Sequence, residues 1–133
     1  MRSLVFALMV SVGLSSAARA DDAAVRAVIA AQIEAFLAGD VAQAYSYASP
    51  FIQQKFGTAD GFGRMVREGY PMVWCPSDVT FLEVEESGGK LWQNVFVRDA
   101  GGAGYIVEYE MINGPEGWKI NGVRVREAPD SSV

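Results

Sequence analysis

The sequence contains no histidine and a single cysteine, Cys75. Histidine is the side chain most used for acid–base chemistry near neutral pH and is the commonest transition-metal ligand, so its absence removes the usual basis for both functions. One cysteine cannot form an intramolecular disulfide, and a zinc site built from cysteine and histidine is excluded as well. The hydrophobic core alone must hold the fold together, and we expect neither a cofactor nor a metal.

Positive charge is also scarce, with 11 basic residues against 16 acidic residues and a formal net charge of −5. An acidic surface of this kind repels phosphate backbones and anionic lipid headgroups. Nucleic acids and membrane surfaces are therefore poor partners for this chain.

The longest apolar run lies at the N-terminus, between Leu4 and Leu14, and is too short to span a bilayer, which needs roughly 20 residues. It follows a positively charged start at Arg2 and precedes a series of small residues that ends at Ala20. This order is typical of a secretory signal peptide. We expect residues 1–20 to be cleaved after Ala20, and the mature protein to be periplasmic or secreted.

The rest of the chain divides into a half with helical periodicity and a half with strand periodicity. Residues 21–128 are enough for one domain with one core, and residues 129–133 are predicted to form a disordered tail. Helices gathered ahead of a run of strands predict an α+β fold.

Polar residues and glycines mark the expected helix boundaries. Asp21 is predicted to begin the first helix, because the helix dipole favours negative charge at its N-terminus. Gly39 is placed to end that helix in a left-handed conformation. Asp40, Ser49 and Thr58 are the predicted N-caps of three further helices.

The helical pattern weakens towards residue 76. Gly61 and Gly63 lower the helix propensity of the last helix, which predicts either close packing against a neighbouring element or low local stability. The segment from Tyr70 to Pro76 contains two prolines and is predicted to be extended, because proline disfavours the helical conformation at the residue before it.

Turn sequences divide the second half into four predicted strands, at about residues 78–85, 90–98, 105–112 and 118–126. The short connections predict an antiparallel meander. On the third strand Val107 and Tyr109 are expected to face the helices, whereas Glu108 and Glu110 point the other way. The second strand is apolar on both faces and the helices can cover only one, which favours a homodimer through the other face.

Two parts of the sequence are similar to known families. Residues 117–123 resemble the last strand of the nuclear-transport-factor-2-like, or cystatin-like, cone fold. Four short segments resemble small exported proteobacterial proteins known as a domain of unknown function (four-eight-six-four), a likeness that spans residues 23–127: Ser49 to Gln53, Phe56 to Thr58, Met65-Val66 and Gly69 to Trp74. The resemblance implies N-terminal helices packed on a curved, mostly antiparallel sheet of four to five strands, with a pocket between them. It implies no activity and no catalytic residue, and Cys75 departs from the basic or polar residue expected there.

The candidate ligand-binding residues are four aromatic side chains and one methionine: Tyr45, Tyr70, Met72, Trp74 and Tyr109. An aromatic pair around a polarisable methionine, held by a rigid proline, could line the mouth of an apolar pocket. The hydroxyls of Tyr45 and Tyr109 could orient a bound molecule. The alternative is that the segment from Tyr70 to Trp74 only seals the helices onto the sheet.

Three functions stay open at this point. The leading hypothesis is non-catalytic binding of a small apolar ligand or a protein partner, because histidine is missing and no polar residues converge on one motif. The second is an isomerase or cyclase that uses a buried carboxylate and tyrosine donors. The third is a structural dimer that acts through its sheet face.

Two further features have simple interpretations. Glu108 and Glu110 form a close carboxylate pair, which most simply belongs to an exposed face balanced by Arg124 and Arg126. Cys75 is interpreted as a small buried hydrophobe or as a thiol able to bridge two copies, because no basic residue lies beside it in the sequence to activate it.

Overall fold

The computed structural model describes residues 13–129, with side chains described from residue 21 onwards. Residues 1–12 of the predicted signal peptide and residues 130–133 of the predicted tail lie outside the described residues. Five helices precede four strands: α1 (Gly13–Leu37), α2 (Val41–Ser46), α3 (Pro50–Phe56), α4 (Ala59–Gly69), α5 (Pro71–Trp74), β1 (Asp78–Ser87), β2 (Lys90–Arg98), β3 (Gly104–Gly114) and β4 (Gly117–Glu127). This order confirms the predicted α+β class.

The first helix begins earlier than predicted. It starts at Gly13, so Asp21 lies inside the helix and does not begin it in the full-length chain. The residues between them are rich in alanine, the strongest helix former, which explains the continuation. Among the described side chains of this helix, which begin at residue 21, Val25 is the first that is buried in the core. Within residues 13–129, no helix combines the length and the apolar character that crossing a membrane requires.

The other predicted helix boundaries, at Gly39, Asp40, Ser49 and Thr58, are confirmed. Gly39 follows α1 with a φ of 74°, the left-handed conformation that glycine adopts without steric cost. The side chains of Asp40, Ser49 and Thr58 each accept a hydrogen bond from a backbone N–H in the first turn of α2, α3 and α4. The donor–acceptor distances are 3.1, 3.2 and 3.0 Å.

Gly63 lies where α4 crosses α2. A β-carbon at this position would lie 2.6 Å from Cγ1 of Val41, far inside the 3.5–4.0 Å at which carbon atoms normally touch. The close packing predicted for this part of α4 is therefore confirmed at Gly63.

The segment between the two prolines is a short helix, so the prediction of an extended piece is wrong. Pro71 occupies the first position of α5, where its missing N–H costs nothing and its fixed φ suits a helix. The residues before the two prolines, Tyr70 and Cys75, do lie outside the helical region, with φ values of −137° and −149° and ψ values of 60° and 68°. Proline therefore displaced its predecessors as expected, but Pro71 also started a helical turn.

The four strands pair in chain order as an antiparallel meander, as predicted. On β3 the side chains of Val107 and Tyr109 are buried in the core between sheet and helices. The alternate residues define the side of the sheet that no helix within residues 13–129 covers, which we call the open face: Trp92, Asn94, Phe96, Ile106, Glu108, Glu110, Arg124 and Arg126.

Each outer strand of the sheet has an irregular feature: an additional bridge next to β4 and a bulge in β1. Next to β4 the chain between α2 and α3 forms a parallel bridge, in which Ser49 N donates to Ile120 O at 2.8 Å and Ile120 N donates to Tyr47 O at 2.9 Å. In β1 the register shifts by a bulge, and Nε2 of the buried Gln93 donates to the bulged carbonyl of Leu82 at 2.9 Å.

Candidate functional site

A cavity of about 230 Å³ lies between the helices and β4. Its walls come from α1, α3, α4, α5 and residues 120–123 of the strand. Most of this wall is apolar and includes four phenylalanine rings: Phe36, Phe51, Phe56 and Phe62. Apolar walls with a few polar groups are the usual composition of a small-molecule site.

The phenylalanine rings of the wall support one another around Phe62. Its ring centroid lies 5.9 Å from that of Phe36 and 6.1 Å from that of Phe56. Aromatic pairs at these separations are favourable beyond the area that they bury. The inner wall of the cavity is therefore built by packed rings from three different helices.

Four polar side chains also line the cavity: Gln32, Lys55, Tyr70 and Asn121. Gln32 is only 3% exposed, and its Nε2 donates to the carbonyl oxygen of Ala44 at 3.1 Å. No aspartate or glutamate belongs to the lining among the described residues. The cavity therefore presents amides, a hydroxyl and one ammonium group, but no carboxylate that could serve as a general base.

Asn121 reaches the cavity because β4 bulges at this point. Glu110 pairs with Gly122 and the next residue of β3 pairs with Ile120, which leaves Asn121 without an opposite residue. Bulges often re-aim a side chain in this way. Oδ1 of Asn121 accepts a hydrogen bond from Ser49 Oγ at 2.7 Å, and its Nδ2 donates to Glu110 Oε2 at 3.0 Å.

A chain of polar contacts thus crosses the sheet from the cavity wall to the open face. It runs from Ser49 through Asn121 to Glu110, whose other carboxylate oxygen lies 3.7 Å from Lys90 Nζ. The Ser49 hydroxyl donates to an amide oxygen, which is not a base, so this contact does not activate it as a nucleophile. The arrangement holds a buried serine in place and offers no evident chemistry.

Of the predicted ligand-binding residues, Tyr70 lines the cavity. Tyr45 lies behind the wall, with its ring 5.5 Å from that of Phe62. The Tyr45 hydroxyl donates to the carbonyl oxygen of Gln53 at 2.6 Å. The Tyr45 hydroxyl therefore donates its proton to a protein carbonyl and cannot donate it to a ligand.

The other three predicted residues do not belong to the cavity lining. Met72 and Trp74 are partly buried against the core, and Trp74 packs on Phe36 with ring centroids 5.4 Å apart. Tyr109 is 1% exposed, and its hydroxyl has no hydrogen-bond partner among the described residues. Burial raises the pKa of this hydroxyl well above its usual value, because the ionised form would be desolvated.

Sequence reasoning missed four of the residues that line the cavity: Gln32, Phe51, Lys55 and Asn121. Gln32 had a signal, since it is a polar residue inside the apolar stripe of α1. Phe51 and Lys55 lie four residues apart, the spacing at which two side chains share one side of a helix. No sequence signal indicated Asn121, because the bulge that turns its side chain towards the cavity depends on the pairing of β4 with β3.

The remaining candidate groups lie away from the cavity. Glu108 accepts hydrogen bonds from Arg124 Nε at 2.9 Å and Arg126 Nε at 3.4 Å, which is the balanced open face that was expected. Cys75 is exposed, so its interpretation as a buried hydrophobe is wrong. In the part of the chain that the structure describes, no three potential ligands among Cys, Asp and Glu gather around a metal position.

Comparison with known proteins gives a family and no activity. A family model described as Domain of unknown function (DUF4864) matches residues 18–133. No curated protein matches the chain significantly. No solved structure matches it either.

Proposed function

Since the chain belongs to the DUF4864 family of domains of unknown function, whose name supplies no activity, we propose its function from the cavity. We propose that the protein is an exported, non-catalytic binding protein that takes up a small, largely apolar molecule. The observation that carries this proposal is the apolar cavity of about 230 Å³ between the helices and β4.

The size and lining of the cavity limit the ligand. A volume of 230 Å³ corresponds to about eight water molecules at their liquid volume. It lies below the range of about 300–1,000 Å³ that is typical of sites for drug-sized molecules. The ligand is therefore a short apolar chain or a single ring, and the amides of Gln32 and Asn121 are the polar groups that would orient it.

Export is the second part of the proposal and is supported by the sequence of the leader. The positive start, the short apolar run and the small residues before Asp21 have the order of a cleavable signal peptide. The described core begins at Val25, so cleavage after Ala20 would remove no side chain that belongs to it.

The chemistry of the lining favours binding over the isomerase or cyclase alternative. An enzyme of that kind needs a carboxylate or another base that touches the substrate. Glu110 accepts a hydrogen bond from the lining residue Asn121, but it lies on the open face and is not part of the lining. A ligand in the cavity would meet the Asn121 amide in place of that carboxylate.

The test combines native mass spectrometry with a cavity-filling variant. Protein purified from its own host should carry a small non-covalent adduct, and apolar compounds of matching size should raise its melting temperature. Met65→Trp fills the cavity and should abolish both effects. Met72→Trp is the matched control, because Met72 is partly buried but outside the lining. Adduct-free protein in every preparation, with no compound that shifts the melting temperature, contradicts the proposal.

A dimer through the open face is the second candidate, and one observation favours it. The side-chain oxygen of Asn94 is buried on this face without a described partner, and a second copy could supply one. Light scattering after size exclusion tests this candidate, and a monomer at all concentrations rejects it.

A further inference from the structure

The charge of the cavity lining narrows the class of ligand. Lys55 is the one charged side chain in the lining among the described residues. It lies on α3, and its Nζ is 5.7 Å from the ring centre of Phe56, which also lines the cavity. Lys55 is exposed, so its ammonium group lies at the solvent side of the cavity, next to an aromatic ring of the apolar wall.

Lys55 differs from the other basic side chains near the sheet. The ion pairs within residues 21–129 involve five other basic residues: Lys90, Arg98, Lys119, Arg124 and Arg126. No described carboxylate lies within ion-pair distance of Lys55. In a chain with an excess of acidic residues, a cation at a cavity without an acidic neighbour leaves its charge available to a ligand.

We propose that the cavity binds a small amphiphile with an apolar body and one anionic group, which pairs with the ammonium of Lys55. The proposal rests on the proposed binding function and adds the charge of the ligand. The apolar body lies among the phenylalanine rings. The anionic group stays at the exposed end, where it keeps part of its hydration and avoids the full cost of burying a charge.

The same geometry disfavours the other charge types. A cationic amphiphile would meet the ammonium of Lys55 and no carboxylate in the described lining. A neutral amphiphile would fill the apolar part equally well but would gain nothing from the charge. Ligands of equal length and different head groups therefore separate the contribution of Lys55 from that of the apolar wall.

Four six-carbon probes test the proposal by titration of the ¹⁵N-labelled protein: hexanoate, hexane-1-sulfonate, hexan-1-ol and hexylammonium. The two anions should bind about fivefold more tightly than hexan-1-ol, the factor that an exposed ion pair of about 1 kcal/mol supplies. Added salt should reduce this preference, because it screens exposed charges. Tighter binding of only one of the two anions also supports the proposal and assigns the head group.

Lys55→Met should remove the preference for anions, so that the variant binds the two anions no more tightly than it binds hexan-1-ol. Lys119→Met is the matched control, since Lys119 pairs with Glu116 and lies outside this lining. Equal binding of hexan-1-ol and the anions to the wild type, or tighter binding of hexylammonium, overturns the proposal but leaves the binding function intact. If no probe shifts the resonances of cavity residues, both proposals fail.

Discussion

Replacing Gly63 with alanine tests the crossing of α2 and α4. The new β-carbon would lie 2.6 Å from Val41 Cγ1 and 3.1 Å from Val41 Cβ. Carbon atoms normally approach to about 3.5–4.0 Å. Because the neighbour is a β-branched side chain with few rotamers, the two helices must separate to admit the methyl group.

Two opposing contributions set the size of the effect. Alanine is favoured over glycine inside a helix by about 1 kcal/mol. Forcing an extra carbon into a packed contact costs about 1–3 kcal/mol. We therefore expect a net loss of about 1 kcal/mol in the free energy of unfolding, which lowers the melting temperature by about 5 °C in a domain of this size.

Urea denaturation followed by circular dichroism measures this loss. Gly69→Ala is the matched control in the same helix, because a β-carbon there meets no atom within 4 Å. This control should keep or gain stability. The double variant Val41→Ala/Gly63→Ala removes the clashing methyl groups and should show a favourable coupling between the two sites. A Gly63→Ala protein that is more stable than the wild type, or a coupling of zero, refutes the predicted clash.

The remaining predictions concern a buried hydroxyl, a helix cap and a turn, and all are measured by urea denaturation. Tyr109→Phe removes a hydroxyl without a described partner, so stability at neutral pH should stay the same or rise by about 1 kcal/mol. Because the folded-state pKa of Tyr109 is raised, the unfolded chain loses the hydroxyl proton at a lower pH than the folded protein does. The free energy of unfolding should therefore fall above about pH 10 in the wild type and fall less in Tyr109→Phe. An equal fall in both proteins contradicts this prediction. Ser49→Ala removes both a helix cap and the 2.7 Å hydrogen bond to Asn121, so it should lower the free energy of unfolding by about 2 kcal/mol. Thr58→Ala removes only an exposed cap and should lower it by about 1 kcal/mol. Equal losses would show that the hydrogen bond to Asn121 adds no stability. Gly39→Ala should cost about 1 kcal/mol through backbone strain alone, since φ is +74° and no atom lies near the added carbon; an unchanged stability contradicts this.

The helix caps and the meander could be predicted from the sequence because they depend on neighbours in the chain. Ser49 and Thr58 accept hydrogen bonds from residues three positions ahead, and Gly39 needs only its own φ freedom. The four strands pair with their sequence neighbours across short turns. The alternation of apolar and charged residues on β3 then predicted which side of the sheet faces the helices.

Most of the cavity could not be predicted because it depends on contacts between distant elements. Asn121 enters the wall only through the register shift opposite Glu110, and Lys55 becomes part of it through the packing of α3. The segment around Met72 and Trp74 has an aromatic composition that suits a pocket wall, but the turn that begins at Pro71 packs both side chains against the core. Composition alone does not distinguish a wall residue from a sealing residue.

The irregular outer strands restrict how copies of this protein can meet. At β4, backbone groups of Ile120 are already used by the chain at Tyr47 and Ser49. At β1, the bulge and three exposed glutamates (Glu83, Glu85 and Glu86) would repel an incoming strand of the same sequence. The addition of further strands at β1 or β4, which is how fibrils grow, is therefore disfavoured at both edges of the sheet. Contact through the open face would instead form a closed dimer, because each molecule has one such face and it is buried once two molecules have paired.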